Sequence, residues 1–403
     1  MNLLYICYWG ISDGLTESTV LPHLEILAEL DNIQKIIFCT IERDGLTINS
    51  NRRFKEKIKH IPLTSENIRP SFINKVFDFI LFPKQLSKLV AQYSIDKVLA
   101  RGAPAGALAW MIYRKQGIPY IVESFEPHAD YMYESGVWSS INPKYIFELY
   151  WERKQKETAE YLITVSNNYR EKLLSEGVSP NRVETIPCCV NLKNFEFNSD
   201  KRDSTRNKLG IRGECLVAAY VGKFGDIYYK EEAFQILRKA VSFFGPRFFL
   251  IILTPQNKGE VLELMNQHQI PIENVFIDKV KHEEIPSYLS ASDFAFSFIK
   301  PANCRKYCSP IKDGEYWANG LPILIPDNIG DDSEIIKKNP LSGAVFSLDN
   351  SSLNQSFEFI KELISTSSRS ERAFEITKLA QQNRDFSIVK LIYNKIFLHS
   401  NDF

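Results

Sequence analysis

Ser309, Pro310, Lys312 and Glu315 crowd into the stretch "CSPIKDGEYWANG" (308–320), between the apolar runs "FAFSFIK" (294–300) and "LPILI" (321–325). A Ser-Pro pair after a buried strand marks the start of a helix, because proline loses nothing at a first-turn position. The free amides of such a start, together with the helix dipole, form an anion site. Lys312 adds a full positive charge beside it. Glu315, one turn further, can accept hydrogen bonds from a diol. An anion site and a diol acceptor one turn apart describe a nucleoside diphosphate. A second set lies in "YVGKFGDIYYK" (220–230), where Gly222, Lys223, Tyr228 and Lys230 follow another apolar run. Two lysines with glycine freedom between them suit the same diphosphate; ordinary lysines on a solvated turn fit the pattern too.

The first half offers a different set. Glu123, Glu126, His128, Asp130 and Glu134 fall in and after "PYIVES" (119–124), in "FEPHADYMYESGVW" (125–138), a segment with no helical pattern. A long loop rich in titratable groups is where acid–base work is found. His128, Glu126 and Asp130 are the candidate bases, although a solvated loop histidine fits His128 alone. Arg101 ends the run "KVLAR" and can fork onto an anion, or form a surface ion pair. Gly10 and Gly14, after "NLLYICY", let the backbone come close to a ligand or serve as plain turn residues.

These positions share one property: each follows an apolar run. The runs "NLLYICY", "KIIFCTI", "KVLAR", "PYIVES", "YLITVS" and "VETIPC" lack polar alternation and are separated by helical patterns such as "TVLPHLEILAEL", with Ser18 as its expected N-cap, and "NPKYIFELYWERKQKETAEY". Continuous apolar strands joined by helices predict a parallel sheet covered on both faces. The rhythm breaks over 191–214, which is polar and charged, and restarts with "LVAAYVGKF", "FFLIILTP", "VFIDKV", "FAFSFIK", "LPILIPD" and "GAVFSLD". The expected fold is therefore α/β, with two doubly wound Rossmann-like domains facing a cleft. Residues 1–190 form the first domain, 191–214 the linker and 215–385 the second. A helix over 386–403 follows the second sheet and is expected to pack back on the first domain. Ligands of such sheets bind beyond the carboxyl ends of the strands, which is where the chemistry-bearing residues fall.

Composition narrows the function. The 403 residues carry 49 Lys+Arg and 49 Asp+Glu, with 44% apolar and 24% charged residues. A balanced charge argues against a nucleic-acid binder, and the apolar content is that of a globular protein. Neither G-x-G-x-x-G nor G-x-x-x-x-G-K-[ST] occurs, which disfavours dinucleotide oxidoreductases and P-loop ATPases. The seven cysteines have no zinc-ligand spacing and read as reduced thiols. The first residues have no basic n-region, and no run reaches about 18 apolar residues. The expected location is the cytoplasm, at the inner face of a membrane for a lipid-borne substrate.

The block "SPIKDGEYWANGLPILIPDNIGD" (309–331) resembles the donor-site segment of family-four glycosyltransferases, retaining enzymes of the GT-B fold. "HEEIPSYLSASDFAFSF", "YVGKFGDIYY", "LITVSNNYREKLLSEGVSPNRVETIPCCVNLKNF" and "DGLTESTVLPHL" are similar to other segments of that family, so the resemblance spans nearly the whole chain. It implies that Glu315 holds a ribose, that Ser309, Pro310 and Lys312 with Lys223 and Lys230 hold the diphosphate of a UDP- or GDP-sugar, and that Gly14, Gly222 and Tyr228 line the donor. A saccharide or lipid-linked acceptor would bind the first domain near Arg101 and Glu123. No metal or other cofactor is implied. Tyr307 stands where many members carry a second glutamate, and Cys189 and Asn191 stand where glycine and aspartate are usual. Between 51 and 90 there are nine Lys/Arg against three Asp/Glu, among large apolar residues. This stretch suits peripheral contact with an anionic membrane; a core-facing helix with a solvated basic face fits it as well. Sugar-nucleotide epimerisation or hydrolysis in the same cleft, and ligand binding without turnover, are the rival readings.

Overall fold

The structure, a computed structural model, describes residues 1–43, 53–65 and 71–398. It divides into two units, Met1–Pro187 with the C-terminal segment from Phe386 onward, and Cys188–Asp385.

The first unit contains β1 (Asn2–Cys7), β2 (Lys35–Glu42), β3 (Ile58–His60), β4 (Leu63–Thr64), β5 (Lys97–Arg101), β6 (Tyr120–Phe125), β7 (Tyr161–Thr164) and β8 (Val183–Thr185). They pair in the order β3-β2-β1-β5-β6-β7-β8, with β4 beside β2, and every pairing is parallel. The order reverses at β1, so the segments after β1 and β5 lie at the switch point. The short strands β3 and β4 escape the sequence reading because "IKH" and "LT" contain too few apolar residues to stand out.

The second unit contains β9 (Leu216–Val221), β10 (Phe248–Leu253), β11 (Val275–Asp278), β12 (Phe294–Phe296), β13 (Ile323–Pro326) and β14 (Gly343–Phe346), ordered β11-β10-β9-β12-β13-β14 and again parallel. Successive residues of one strand feed opposite cores. Val217 and Ala219 join Phe249, Ile251, Ala295 and Ile323 on one face. Ala218 and Tyr220 join Leu250, Ile252, Phe294 and Leu324 on the other. Both faces are covered, which is why these strands read as unbroken apolar runs.

Three local expectations are corrected. The stretch 191–214 carries two helices, Leu192–Phe195 and Ser199–Lys208, and belongs to the second unit. Its charges, which suggested solvated chain, are in use: Arg202 Nη2 lies 2.7 Å from Asp293 Oδ1, and Arg206 Nη1 lies 3.6 Å from Asp293 Oδ2. Asn191 and Asn198 cap the two helices through their side chains. The segment after β6 holds a helix, His128–Glu134, too short for a periodic pattern. Ser18 does not cap the helix Leu21–Glu29. It sits inside a preceding π-helical turn, Thr16–Val20, and its hydroxyl donates to the Gly14 carbonyl at 2.8 Å. The C-terminal helix Phe386–Leu398 packs in the first unit, where Val389, Tyr393, Ile396 and Phe397 are buried. Among the described residues no helix is long and apolar enough to cross a membrane.

Candidate active site

In the second unit the helix Ile311–Ala318 links β12 to β13, with Pro310 as its N-cap rather than a first-turn residue. Its first amides have no partner within the helix. The Lys312 side chain runs to the glycine loop after β9. There its Nζ is sealed from solvent with no hydrogen-bond partner, 4.0 Å from the centre of the Tyr228 ring and 5.2 Å from that of Tyr220. Gly222 makes this approach feasible. A Cβ there would come within 2.4 Å of Lys312 Nζ, and its φ of 147° is in the region that favours glycine.

A cation facing two aromatic rings gains about 0.5–2 kcal/mol, whereas dehydrating an ammonium costs several kcal/mol. The balance is unfavourable. Burial accordingly pushes the Lys312 pKa down to about 8, against the pull of Asp313 and Glu315. An under-compensated cation at a helix N-terminus is a site shaped for an anion.

The other expected donor residues divide. Glu315 is 6% exposed, and its Oε1 lies 2.8 Å from His282 Nε2. His282 is exposed and packs edge-on against Phe195. The carboxylate is thus positioned by a residue 33 positions upstream, too far along the chain for a local pattern to link the two. The Ser309 hydroxyl accepts from the Cys188 amide at 2.9 Å and from Arg384, which leaves its O–H to donate. Arg384 also grips Asp332 through Nη2. Burial, then Asp332, raise the Asp313 carboxyl well above its ordinary range. Neither Arg384 nor Asp313 is detectable from local sequence, because their partners lie far along the chain or in the buried interior.

Lys223 and Lys230 are exposed. Lys223 Nζ is held 2.5 Å from Asp226 Oδ2; Lys230 is the N-cap residue of the helix Glu231–Phe244. The structure therefore joins Gly222, Tyr228 and Lys312 in contact, and leaves these two lysines at the surface. Gly14 lies in the first unit. It is exposed, and a Cβ there would meet nothing within 4 Å. Gly10 is the tight position, since a Cβ there would lie 2.6 Å from Glu42 Oε2.

Arg101 and Glu123 are not surface contacts for a second substrate. Both are buried and form an ion pair. Tyr5 donates to Glu123 Oε1 at 3.1 Å, His23 Nδ1 lies 2.9 Å from the same oxygen, and the Tyr393 hydroxyl donates to Oε2. Burial pushes the Glu123 carboxyl up, but Arg101, His23 and the bonds from His23 and Tyr393 outweigh it and hold it well below the carboxylate range. The sequence reading erred because a charged residue at a strand end looks the same whether it faces water or a buried partner.

Glu126, His128 and Asp130 are each half-buried in the segment that follows β6. The His128 ring packs edge-on to Trp138 at 5.8 Å, and Asp130 Oδ2 lies 3.8 Å from Lys172 Nζ. Beneath them is Glu152, from the helix Pro143–Thr158, whose Oε1 accepts from the Ala129 amide at 2.9 Å. Burial raises its pKa to about 8. Among the described residues no group of three or more His, Cys, Asp or Glu is placed to hold a metal ion.

Comparison with known proteins agrees with this architecture. Residues 46–194 match the sequence model of Glycosyltransferase Family 4. The chain is 21% identical over 341 residues to an Escherichia coli UDP-Gal:alpha-D-GlcNAc-diphosphoundecaprenol alpha-1,3-galactosyltransferase, covering 82% of this chain and 84% of that one. Among solved structures it is similar to sucrose-phosphate synthase of Thermosynechococcus elongatus, with a TM-score of 0.76 at 16% identity over 99% of this chain and 100% of the other. It is also similar to HepE of Anabaena in complex with UDP and glucose, with a TM-score of 0.70 at 13% identity over 98% and 99% of the two chains. These likenesses place both sheets in the GT-B fold.

Proposed function

We propose that this chain, a glycosyltransferase of family four with the GT-B fold, moves a hexosyl group with retention from a UDP-sugar to a saccharide carried on a lipid, in cell-surface polysaccharide or glycolipid assembly. The observation that carries the donor half is Lys312. Its sealed, unpartnered Nζ lies against Gly222 and belongs to the first turn of a helix. The diphosphate binds there, and the ribose hydroxyls reach Glu315, oriented by His282. The donor class and lipid carrier follow the galactosyltransferase relative.

During transfer the bond from the sugar C1 to the diphosphate oxygen breaks, and its electron pair leaves with the diphosphate. Lys312 and the helix amides meet that charge as it develops, so no step is assigned to a metal. The acceptor oxygen bonds C1 on the face the diphosphate leaves, and its proton passes to a base. His128, Glu126 and Asp130, half-buried after β6, are the candidates for that base. Peripheral contact with an anionic membrane, on its cytoplasmic face, would bring the lipid-borne acceptor to the first unit.

The test is product analysis with UDP- and GDP-hexoses, with and without a lipid-diphosphate-linked saccharide. The expected product is the acceptor one hexose heavier, with UDP released only when acceptor is present. Free nucleotide or an epimerised sugar nucleotide without acceptor would replace this reading by hydrolysis or epimerisation. Binding without turnover under every combination would leave a ligand-binding homologue.

A further inference from the structure

Two polar side chains of the helix Pro143–Thr158, Glu152 and Gln155, are buried. Three residues apart, they lie on one face of the helix. Both bond backbone elsewhere in the first unit. Gln155 Nε2 donates to the Ala103 carbonyl at 2.9 Å, just after β5. Gly106 leaves room for it, since a Cβ there would lie 2.4 Å from Gln155 Oε1. Glu152 Oε1 accepts from the Ala129 amide at 2.9 Å, after β6. β5 and β6 are neighbours in the sheet, so one helix face fixes the segments that leave both strands.

The segment after β6 needs this anchor. Its helix, His128–Glu134, begins at Pro127, which supplies no side-chain cap for the orphan first-turn amides. Ahead of it Ser124 has a φ of 53°, in the region that favours glycine. The pairing of β6 with β7 shifts register at the same place, between Glu123 and Phe125. A serine persists in that strained state only where its surroundings fix it. The buried cluster around Glu123 fixes the chain on one side. Glu152 fixes it on the other.

We infer that Glu152 is a positioning residue for transfer: it caps the helix His128–Glu134 from outside and so sets the candidate bases His128 and Asp130, on either side of Ala129. Its effect on turnover rests on the transferase reading above; the anchoring of the segment does not. The side chain suits the task because it is neutral. Burial pushes its pKa up to about 8, and Glu148 and Asp130 add to the rise, against the Ala129 amide and Lys156. Tyr169, on the helix Asn167–Ser175, lies within its electrostatic reach as well. At pH 7 Glu152 is therefore mostly an uncharged acid, whose carbonyl oxygen still accepts from an amide. Asp130, with Lys172 Nζ 3.8 Å from its Oδ2, gains no like charge beside it. Glutamine reproduces this acceptor; methionine fills the space without one.

The experiment compares Glu152→Met and Glu152→Gln with the wild type, as full chains, by hydrogen exchange and by steady-state transfer. In Glu152→Met, amides over 126–134 should exchange about tenfold faster, one hydrogen bond having been lost. Those over 102–106, held by Gln155, should exchange as in the wild type. Its kcat should fall at least about tenfold, with the donor KM and UDP affinity unchanged. Glu152→Gln should restore both the slow exchange and the turnover. Ala129→Pro removes the donor instead of the acceptor, at a first-turn position that tolerates proline, and should lower kcat in the same way. Unchanged exchange over 126–134, faster exchange spread evenly through the first unit, or a loss of kcat that glutamine does not restore would each overturn the assignment. So would full turnover by Ala129→Pro. A wild type that transfers no sugar removes the transferase reading, and the exchange result then decides by itself whether Glu152 anchors the segment.

Discussion

Glu123 and Lys312 are both ionisable side chains withdrawn from water, one in each unit, and their surroundings are opposite. Glu123 has Arg101, Tyr5, His23 and Tyr393 around its two oxygens, and it stays ionised despite burial. Lys312 has two aromatic rings, a glycine and no hydrogen-bond partner, and burial lowers its pKa to about 8. A buried charge with its partners supplied locks a fold, here by fastening the C-terminal helix through Tyr393. A buried charge left short of partners weakens the fold and is retained for something that arrives from solution.

The largest effect should come from breaking the satisfied cluster. Arg101→Ala leaves the Glu123 carboxylate buried without its main counter-charge, and a loss of about 3–5 kcal/mol of stability is expected. Chemical denaturation would measure it. Because the Glu123 pKa is depressed in the folded state, the stability it contributes is fully present above the ordinary glutamate pKa of about 4.3 and is lost progressively as pH falls from there toward the depressed value. Nucleotide affinity of protein that remains folded should be unchanged.

Glu315→Gln should act on ligand alone. One charge-assisted hydrogen bond is lost, worth roughly tenfold in donor dissociation constant. Calorimetry with UDP and with inorganic pyrophosphate sharpens the assignment: a ribose contact loses UDP affinity and keeps pyrophosphate affinity. Equal loss for both would make Glu315 a support for the helix start.

The smallest expected effect is a pH dependence. With a pKa of about 8, Lys312 is mostly charged at pH 7 and mostly neutral at pH 8.5, so UDP affinity should fall roughly fourfold between them. A flat profile in calorimetry would mean that Lys312 titrates elsewhere or does not meet the diphosphate.

The contrast between the two clusters also explains what the sequence could and could not reveal. Strand runs such as "FFLIILTP" were legible because both faces of each sheet are buried, which leaves no polar alternation to confuse the pattern. The donor helix was legible because Ser309-Pro310-x-Lys312 is a local signal. Arg101 and Glu123 were misread because their role depends on His23 and Tyr393, 270 residues apart from Glu123 in the latter case. The partners of the Ser309 hydroxyl, Cys188 and Arg384, and of His282, Glu315 33 residues on, are likewise beyond the reach of a local pattern. The helices in 191–214 were hidden by their charge, which Asp293 collects. Gly222 was found for the right reason only in part: its missing side chain makes room for Lys312 as well as for a ligand.

The account turns on Lys312 being held ready for a diphosphate, and one substitution examines both sides of that statement. Lys312→Met keeps much of the side chain's length and removes the buried charge. UDP affinity by calorimetry should fall by about 1.5–3 kcal/mol, the range for a charged hydrogen bond. In the same samples, the melting temperature without ligand should hold or rise, because a poorly compensated ammonium is gone. Unchanged UDP affinity, or a ligand-free protein that melts lower by an amount matching the lost affinity, would contradict the claim and make Lys312 another structural charge like Glu123.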